Sequence, residues 1–225
     1  MTGDLRQAIY LIADEMRGMA AVSGHYASNP YEAERAERIR DLAVRLVSLI
    51  DEDHDETAIR AGFRADEMFH ASPATGADAV VFNEKAELLL IQRRGDGRWA
   101  LPGGLAEIGR TLSESALLEL WEEAGLRGEV VRLLGLFDGQ KAGSRSKIHF
   151  THAVFQIHCD QLMPTPGLET TDARFFAQEA LPELYVGHDK IVPLCFELRS
   201  SPAHFDIASS LDTDLPTHQR PFTQK

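Results

Sequence analysis

The amino-terminal part of the chain has apolar residues at helical spacing. They recur at alternating intervals of four and three, as on one face of an amphipathic helix, at Leu5, Ile9, Ile12, Met16 and Met19. A second helix is predicted from Asn29, where Asn can cap the helix and Pro30 fits its first turn, to about Asp51. A third helix is predicted over residues 56–69. Residues 1–70 are therefore expected to form a small all-helical domain in which the first helix packs on the second.

The pattern changes after residue 70. Residues 71–76 read ASPATG, a short run with Pro and Gly and no apolar periodicity, and we place a linker there. Aliphatic runs at 77–82 and 87–92 flank the turn residues 83–85 and predict a β-hairpin. Two further strands are predicted at 129–137 and 148–158, and a strand-like run at 173–177. A short helix is predicted through Leu181 and Leu184, and a closing helix at 188–198. The tail, residues 201–225, is expected to be irregular.

Residues 101–126 have the sequence LPGGLAEIGRTLSESALLELWEEAGL, a Gly-containing turn followed by a helix. Thr111 with Glu114 predicts a capping box at the start of this helix, and Gly125 can adopt the left-handed conformation that ends it. An apolar stripe is expected to face the core through Leu117, Leu120, Trp121 and Ala124.

Three glutamates of this helix recur at i, i+3 and i+4, so Glu119, Glu122 and Glu123 are expected to lie together on the side opposite the stripe. Carboxylates held this close raise one another's pKa unless a cation lies among them, and oxygen ligands suit Mg²⁺ or Mn²⁺. Gly103 and Gly104 would let the backbone approach an ion or a phosphate. A solvated acidic face is the alternative interpretation, because exposed glutamates are common.

The order of these residues resembles the Nudix box of the Nudix hydrolase family, G-x5-E-x7-R-E-U-x-E-E-x-G-U, where U is aliphatic. With Gly104 as the first glycine, the matching positions are Glu119, Leu120, Glu122, Glu123, Gly125 and Leu126. Arg110 stands where the family has its first glutamate, and Leu118 stands where it has arginine. The resemblance extends over residues 76–200. The run YASNPYEAERAERIRDLAV resembles the helical extension of a subfamily that includes CDP-choline and ADP-ribose pyrophosphatases.

The resemblance implies an α/β/α sandwich with a mixed sheet in residues 77–200, preceded by the helical domain. It implies a hydrolase that splits a nucleoside diphosphate linked to another group, such as ADP-ribose or CDP-choline, and releases a nucleoside monophosphate. Mg²⁺ or Mn²⁺ would be held by Glu119, Glu122, Glu123 and Gly104. Glu122 and Glu123 would be catalytic, and Glu169 would be a further ligand or the base that orients water. The alternative is a nucleotide-binding regulatory protein whose box has decayed at Arg110 and Leu118.

Four residues are candidates for substrate contacts. Arg93 and Arg94, at the end of a predicted strand, could hold a phosphate, or they could be solvated charges. Arg110 could contact a phosphate from the start of the acidic helix. His149 is a further candidate, near the polar loop 138–147 where a substrate could be read, although strand histidines more often pack or face solvent.

Composition narrows the class of protein. The chain has 225 residues and a formal net charge of -12, which argues against binding to DNA or to an anionic membrane. Two cysteines, Cys159 and Cys195, are too few for a disulfide framework, and we expect both to be core thiols. We expect a cytoplasmic protein that acts on a small molecule. The helical domain is expected to form a homodimer or to cover the substrate.

Overall fold

The computed structural model describes residues 3–51, 55–64, 73–144 and 149–207. The amino-terminal part contains three helices, α1 (Gly3–His25), α2 (Pro30–Ser48) and α3 (Glu56–Arg64). The Asn29 side chain accepts a hydrogen bond from the Glu32 backbone N–H at 3.0 Å, which confirms the predicted cap of α2. The expected continuation of α3 to residue 69 lies outside the described residues.

Helix α1 packs against α2 as predicted, but on a different face. The shared core contains Ala13 of α1, with Tyr10 and Met16 packed at its edge. The stripe expected to be buried is wrong for Leu5, Ile12 and Met19, because about half of each of these residues is exposed. The small side chain of Ala13 lets the helices approach closely, and Leu5, Ile12 and Met19 lie about a quarter turn round α1 from Ala13, at the edge of the contact.

In the described residues, eight strands form two sheets, with bounds β1 (Ala74–Val80), β2 (Leu88–Arg93), β3 (Trp99–Ala100), β4 (Gly103–Leu105), β5 (Glu129–Asp138), β6 (Phe150–His158), β7 (Thr170–Phe176) and β8 (His204–Phe205). The larger sheet has the order β4-β1-β6-β5-β8 and is mixed, because β1 runs parallel to β6 and antiparallel to β4. The smaller sheet, β3-β2-β7, is antiparallel.

Four details differ from the sequence prediction. Strand β1 begins at Ala74, so part of the expected linker belongs to the sheet. The predicted hairpin forms only next to the Asn83 turn, where Phe82 bridges to Leu88 and the Leu89 N–H donates to the Val81 carbonyl, and β1 and β2 then diverge into separate sheets. The short helix expected through Leu181 and Leu184 is wrong: a 3-10 turn spans Gln178–Ala180, and Leu184 bridges to Trp99. The tail expected to be irregular contributes β8.

Helices α4 (Leu112–Ala124) and α5 (His188–Leu198) cover opposite faces of the sheets. Alternation along β1 explains this, because Ala77 and Ala79 join the core beneath α4, while Val80 joins the core beneath α5. The predicted α/β/α sandwich is therefore confirmed. Cys159 and Cys195 are free and buried, as expected. Among the described helices, none has the length and apolar character needed to span a membrane.

Candidate functional site

Helix α4 begins and ends as the sequence predicts. Thr111 and Glu114 form the complete capping box, and Gly125 ends the helix with φ 66°. The buried stripe differs in one member, because Trp121 is 47% exposed. The residues that face the sheet are spaced by four, so the stripe turns away from Trp121 and runs through Ala116, Leu120 and Ala124.

Strand β4 lies directly against the acidic side of α4. A Cβ atom on Gly104 would lie 2.2 Å from Oε1 of Glu119, so a side chain at this position would collide with the carboxylate. The Gly103 backbone N–H donates a hydrogen bond to Oε2 of Glu123 at 2.9 Å. Glu119 and Glu123 are half-buried against this strand, whereas Glu122 is exposed. The expected grouping of the three glutamates is therefore correct, but two of them face inward.

The loop before β7 brings Glu169 to the same place. Gly167 passes so close to the carboxyl end of α4 that a Cβ atom would lie 1.7 Å from the Glu122 carbonyl oxygen. The Thr170 hydroxyl donates to the Glu123 carbonyl at 2.9 Å. Arg94 holds the other side of the loop. The negative charge of Glu169 consequently acts on both Glu119 and Glu123.

The electrostatics of this glutamate cluster, which we define as Glu119, Glu122, Glu123 and Glu169, are unbalanced. Burial, followed by the charges of the other three, raises the pKa of Glu119 to about 8. Burial and Glu169 raise the pKa of Glu123 to about 7, although the Gly103 N–H opposes the shift. A hard divalent cation fits this cluster, because all the possible metal ligands are carboxylate oxygens and, among the described residues, no cation within the cluster neutralises their negative charges.

The two arginines at the end of β2 have different surroundings. The Arg93 guanidinium lies 4.2 Å from the centre of the Tyr185 ring, and its charge lowers the pKa of Glu123. Arg94 donates from Nε to the Leu168 carbonyl and from Nη2 to the Thr170 carbonyl, both at 2.8 Å. Arg93 is thus near the cluster with an exposed side chain, whereas Arg94 is engaged in holding the Glu169 loop.

Arg110 is placed elsewhere. Its Nε donates to Oε2 of Glu107 at 2.7 Å, and its charge interacts with Glu114 and with Glu15 of α1. It lines an open groove of about 450 Å³ on the outer face of α4, together with Glu114, Leu117, Leu118, Trp121, Arg127 and Gly128. The structure therefore does not bring Arg110 to the glutamate cluster. The two departing positions, 110 and 118, both line this groove.

His149 also has a local partner. Its Nε2 lies 2.8 Å from Oδ2 of Asp138, at the end of β5. This pairing fixes one side of the loop expected to read the substrate, of which residues 145–147 lie outside the described residues.

Sequence reasoning missed a buried polar group on the other face of β4. We call it the Asp78 group: Asp78 in β1, His152 in β6 and His188 at the start of α5, with ligand atoms within 4.8 Å of one another. Asp78 is 3% exposed, and a Cβ atom on Gly103 would lie 2.3 Å from its Oδ1. The available signal was a carboxylate inside the small apolar run GADAVV, where a lone charge requires partners.

A family comparison matches the chain to the NUDIX domain over residues 72–195, more than half of its length. The match contains the glutamate cluster and the Asp78 group, and it begins two residues before the first strand.

Individual relatives agree with this match. The ADP-ribose pyrophosphatase of Methanocaldococcus jannaschii is 32% identical over 123 residues, covering 53% of this chain and 71% of that protein. The protein YjhB of Bacillus subtilis strain 168 is 28% identical over 174 residues, covering 76% of this chain and 82% of that protein. The crystal structure of an ADP-ribose pyrophosphatase from Streptococcus suis superposes with a TM-score of 0.51 and 29% identity, over 60% of this chain and 97% of that one.

Proposed function

The chain belongs to the Nudix hydrolase family and is a pyrophosphohydrolase, and we propose that its substrate is a nucleoside diphosphate linked to a second group. The observation that carries this proposal is the glutamate cluster around Gly103 and Gly104, with Arg93 beside it. ADP-ribose is the first candidate, because it is the substrate named for the relatives from M. jannaschii and S. suis. A CDP-choline-like compound is the second candidate, from the resemblance of the helical extension.

A divalent ion, Mg²⁺ or Mn²⁺, completes the proposed site. Glu119, Glu123 and the Gly104 backbone would hold it from the inner side, and Glu122 from the exposed side. When bound, the ion would neutralise charge on the pyrophosphate and lower the pKa of a coordinated water. Binding requires the loss of protons from Glu119 and Glu123, since their pKa values of about 8 and about 7 place both partly protonated near neutrality.

The remaining groups of the chain have separate roles in this proposal. Glu169, from the loop before β7, would serve as a further metal ligand or as the base that orients the attacking water, because its charge acts on both Glu119 and Glu123. Arg93 binds the outer phosphate, which is the one bonded to the second group. The Tyr185 ring beneath the Arg93 guanidinium restricts the conformation of the arginine side chain. Arg94 positions Glu169 through the loop carbonyls. The outer phosphate leaves with the group linked to it.

The direct test is a substrate panel with the purified protein. ADP-ribose, CDP-choline, UDP-glucose and ATP would be incubated with Mg²⁺ or Mn²⁺, and the released nucleoside monophosphate quantified. We expect turnover of at least one linked nucleoside diphosphate, which chelation abolishes and Glu123→Gln lowers on the order of 100-fold or more. Hydrolysis of ATP alone would contradict the substrate class, and equal rates in Glu123→Gln would contradict the site.

We also propose that the helical domain forms a homodimer. Helix α1 leaves Leu5, Ile12 and Met19 about half exposed at intervals of seven, on one stripe that flanks its contact with α2. A second copy of the chain would bury this stripe. Light scattering should give about twice the 25.0 kDa chain mass at micromolar concentration. The double variant Ile12→Glu, Met19→Glu should be monomeric, whereas Met163→Glu, a change at an exposed methionine of the catalytic part, should remain dimeric. A monomeric wild-type protein would contradict the proposal.

A further inference from the structure

The polar contacts of the Asp78 group determine which nitrogen of His188 carries the hydrogen. His152 Nδ1 lies 2.9 Å from Oδ2 of Asp78, and His188 Nε2 lies 4.0 Å from Oδ1. His188 is 7% exposed, and its Nδ1 accepts a hydrogen bond from the Leu101 backbone N–H at 3.1 Å. Burial lowers the pKa of His188, so its ring is neutral. A neutral imidazole that accepts at Nδ1 carries its hydrogen on Nε2.

This tautomer of His188 disfavours a metal centre at Asp78, His152 and His188. A ligating imidazole needs a lone pair on the coordinating nitrogen, and it normally donates its other N–H to an acceptor. His188 has the opposite arrangement, because its Nε2–H points toward Asp78 and its Nδ1 faces a donor. Ligation through Nε2 would put two hydrogens between Nδ1 and the Leu101 nitrogen, leaving a buried backbone N–H without its acceptor.

The group acts on the backbone segment that leads to the glutamate cluster. His188 accepts from Leu101, and the Asp78 carboxylate occupies the space where Gly103 has no side chain. Two residues beyond Leu101, the Gly103 N–H donates to Glu123 on the opposite face of β4. The segment is therefore contacted from the α5 side by Asp78 and His188 and from the α4 side by Glu123.

We propose that His188 is a positioning residue that fixes the Leu101–Gly104 backbone, so that the Gly103 N–H and the space at Gly104 are aligned with Glu123 and Glu119. The expected effect on catalysis rests on the proposed function, whereas the fixing of the backbone by His188 does not. The backbone is fixed by the hydrogen bond that Nδ1 accepts, and the Nε2 side of the ring contributes less.

Two substitutions distinguish the role of Nδ1 from that of Nε2. In His188→Asn, the amide oxygen can occupy the place of Nδ1, whereas in His188→Gln the amide reaches the place of Nε2 and the acceptor near Leu101 is lost. His158→Gln is the matched control, since His158 is 71% exposed at the far end of β6. The readouts are hydrogen exchange of the Leu101 amide by NMR, Mn²⁺ affinity by paramagnetic resonance, and kcat with KM.

We expect His188→Gln to accelerate Leu101 exchange about tenfold and to weaken Mn²⁺ binding and kcat by a similar factor, with KM less affected. His188→Asn should stay within about threefold of wild type in each quantity, because the backbone hydrogen bond is kept. The exchange result is independent of hydrolysis, so an inactive wild-type protein would count against the proposed function and not against this inference.

Three results would overturn the inference. The first is equal Leu101 exchange in wild type and His188→Gln. The second is loss of exchange protection in His188→Asn, which also decides the matter if His188→Gln does not fold. The third is stoichiometric Zn²⁺ binding to wild type that disappears in both variants and in His152→Gln, which would make the Asp78 group a metal site.

Discussion

The two faces of α4 are built on different principles. The inner face holds Glu119 and Glu123 half-buried against β4, where burial and neighbouring carboxylates raise the pKa of both groups. The outer face carries Leu118 and the exposed Trp121 in an open groove, and Arg110 there is already paired with Glu107. The inner face is electrostatically incomplete without a cation, whereas the charges of the outer face are balanced among themselves.

This difference bears on the departures from the family pattern. Position 118 belongs to the outer face of α4, and Arg110 lines the groove beside it, so both changes occur together and away from Gly103 and Gly104. The features that the inner face requires are present, namely the glycines, the Gly103 hydrogen bond and the glutamates. In the described part of the chain, nothing favours the interpretation of a decayed, purely regulatory site.

The largest effect is expected on the inner face. Glu123→Gln removes a negative charge while keeping side-chain volume and the hydrogen bond from Gly103, so kcat should fall on the order of 100-fold or more. The measurement is steady-state hydrolysis of the best substrate of the panel. Glu129→Gln, an exposed change at the start of β5, is the matched control and should behave as wild type. Wild-type turnover in Glu123→Gln would remove Glu123 from the site.

The two arginines at the end of β2, on the side of the glutamate cluster, should differ next. Arg93→Gln should raise KM about tenfold, because a charge-assisted contact to phosphate is lost near the glutamate cluster. The same change at Arg94 should lower kcat instead, since Arg94 holds the Glu169 loop and not the substrate. Saturation curves for the two variants give both quantities. An unchanged KM in Arg93→Gln would contradict the assignment of Arg93 to phosphate.

A smaller effect should be visible in stability as a function of pH. The folded-state pKa of Glu119, about 8, lies above its ordinary value of 4.5, so its contribution to stability is present below pH 4.5 and is lost as pH rises through 8. The metal-free protein should therefore have a Tm that falls between pH 5 and pH 8.5. Glu119→Gln should flatten this slope, and Mg²⁺ should restore Tm at the alkaline end by replacing the protons. A slope that is the same in Glu119→Gln would contradict the burial of this charge.

The smallest effect is expected on the outer face. Arg110→Gln breaks an exposed ion pair with Glu107, and solvent screening leaves such pairs little influence on their surroundings. KM and the Mg²⁺ concentration for half-maximal activity should both stay within about twofold of wild type. An increase in KM would instead place the Arg110 guanidinium on a substrate phosphate, as the sequence had suggested.

Sequence patterns predicted the local features of this protein well. The caps of α2 and α4 depend on residues three positions apart, and the grouping of glutamates depends on one helical turn, so both could be derived from spacing. The family resemblance supplied Glu169, whose approach to the cluster depends on a loop far along the chain. Spacing alone misplaced Trp121 and the α1 stripe, since it defines a helical face but not the direction in which that face points.

The Asp78 group shows why the rest could not be predicted. Its three residues lie on β1, β6 and α5, and they meet only because the parallel pairing of β1 with β6 places Gly76 opposite His152. Such long-range register is set by tertiary packing, which a single sequence does not reveal.

Mn²⁺ titration followed by paramagnetic resonance tests the central claim most directly, because it measures the inner face without requiring a known substrate. At pH 8 the wild-type protein and Arg110→Gln should bind Mn²⁺ with the same affinity, whereas Glu119→Gln and Glu123→Gln should bind it at least about tenfold more weakly. Equal affinity in all four proteins, or weaker binding in Arg110→Gln alone, would contradict the assignment of the metal to the inner face of α4.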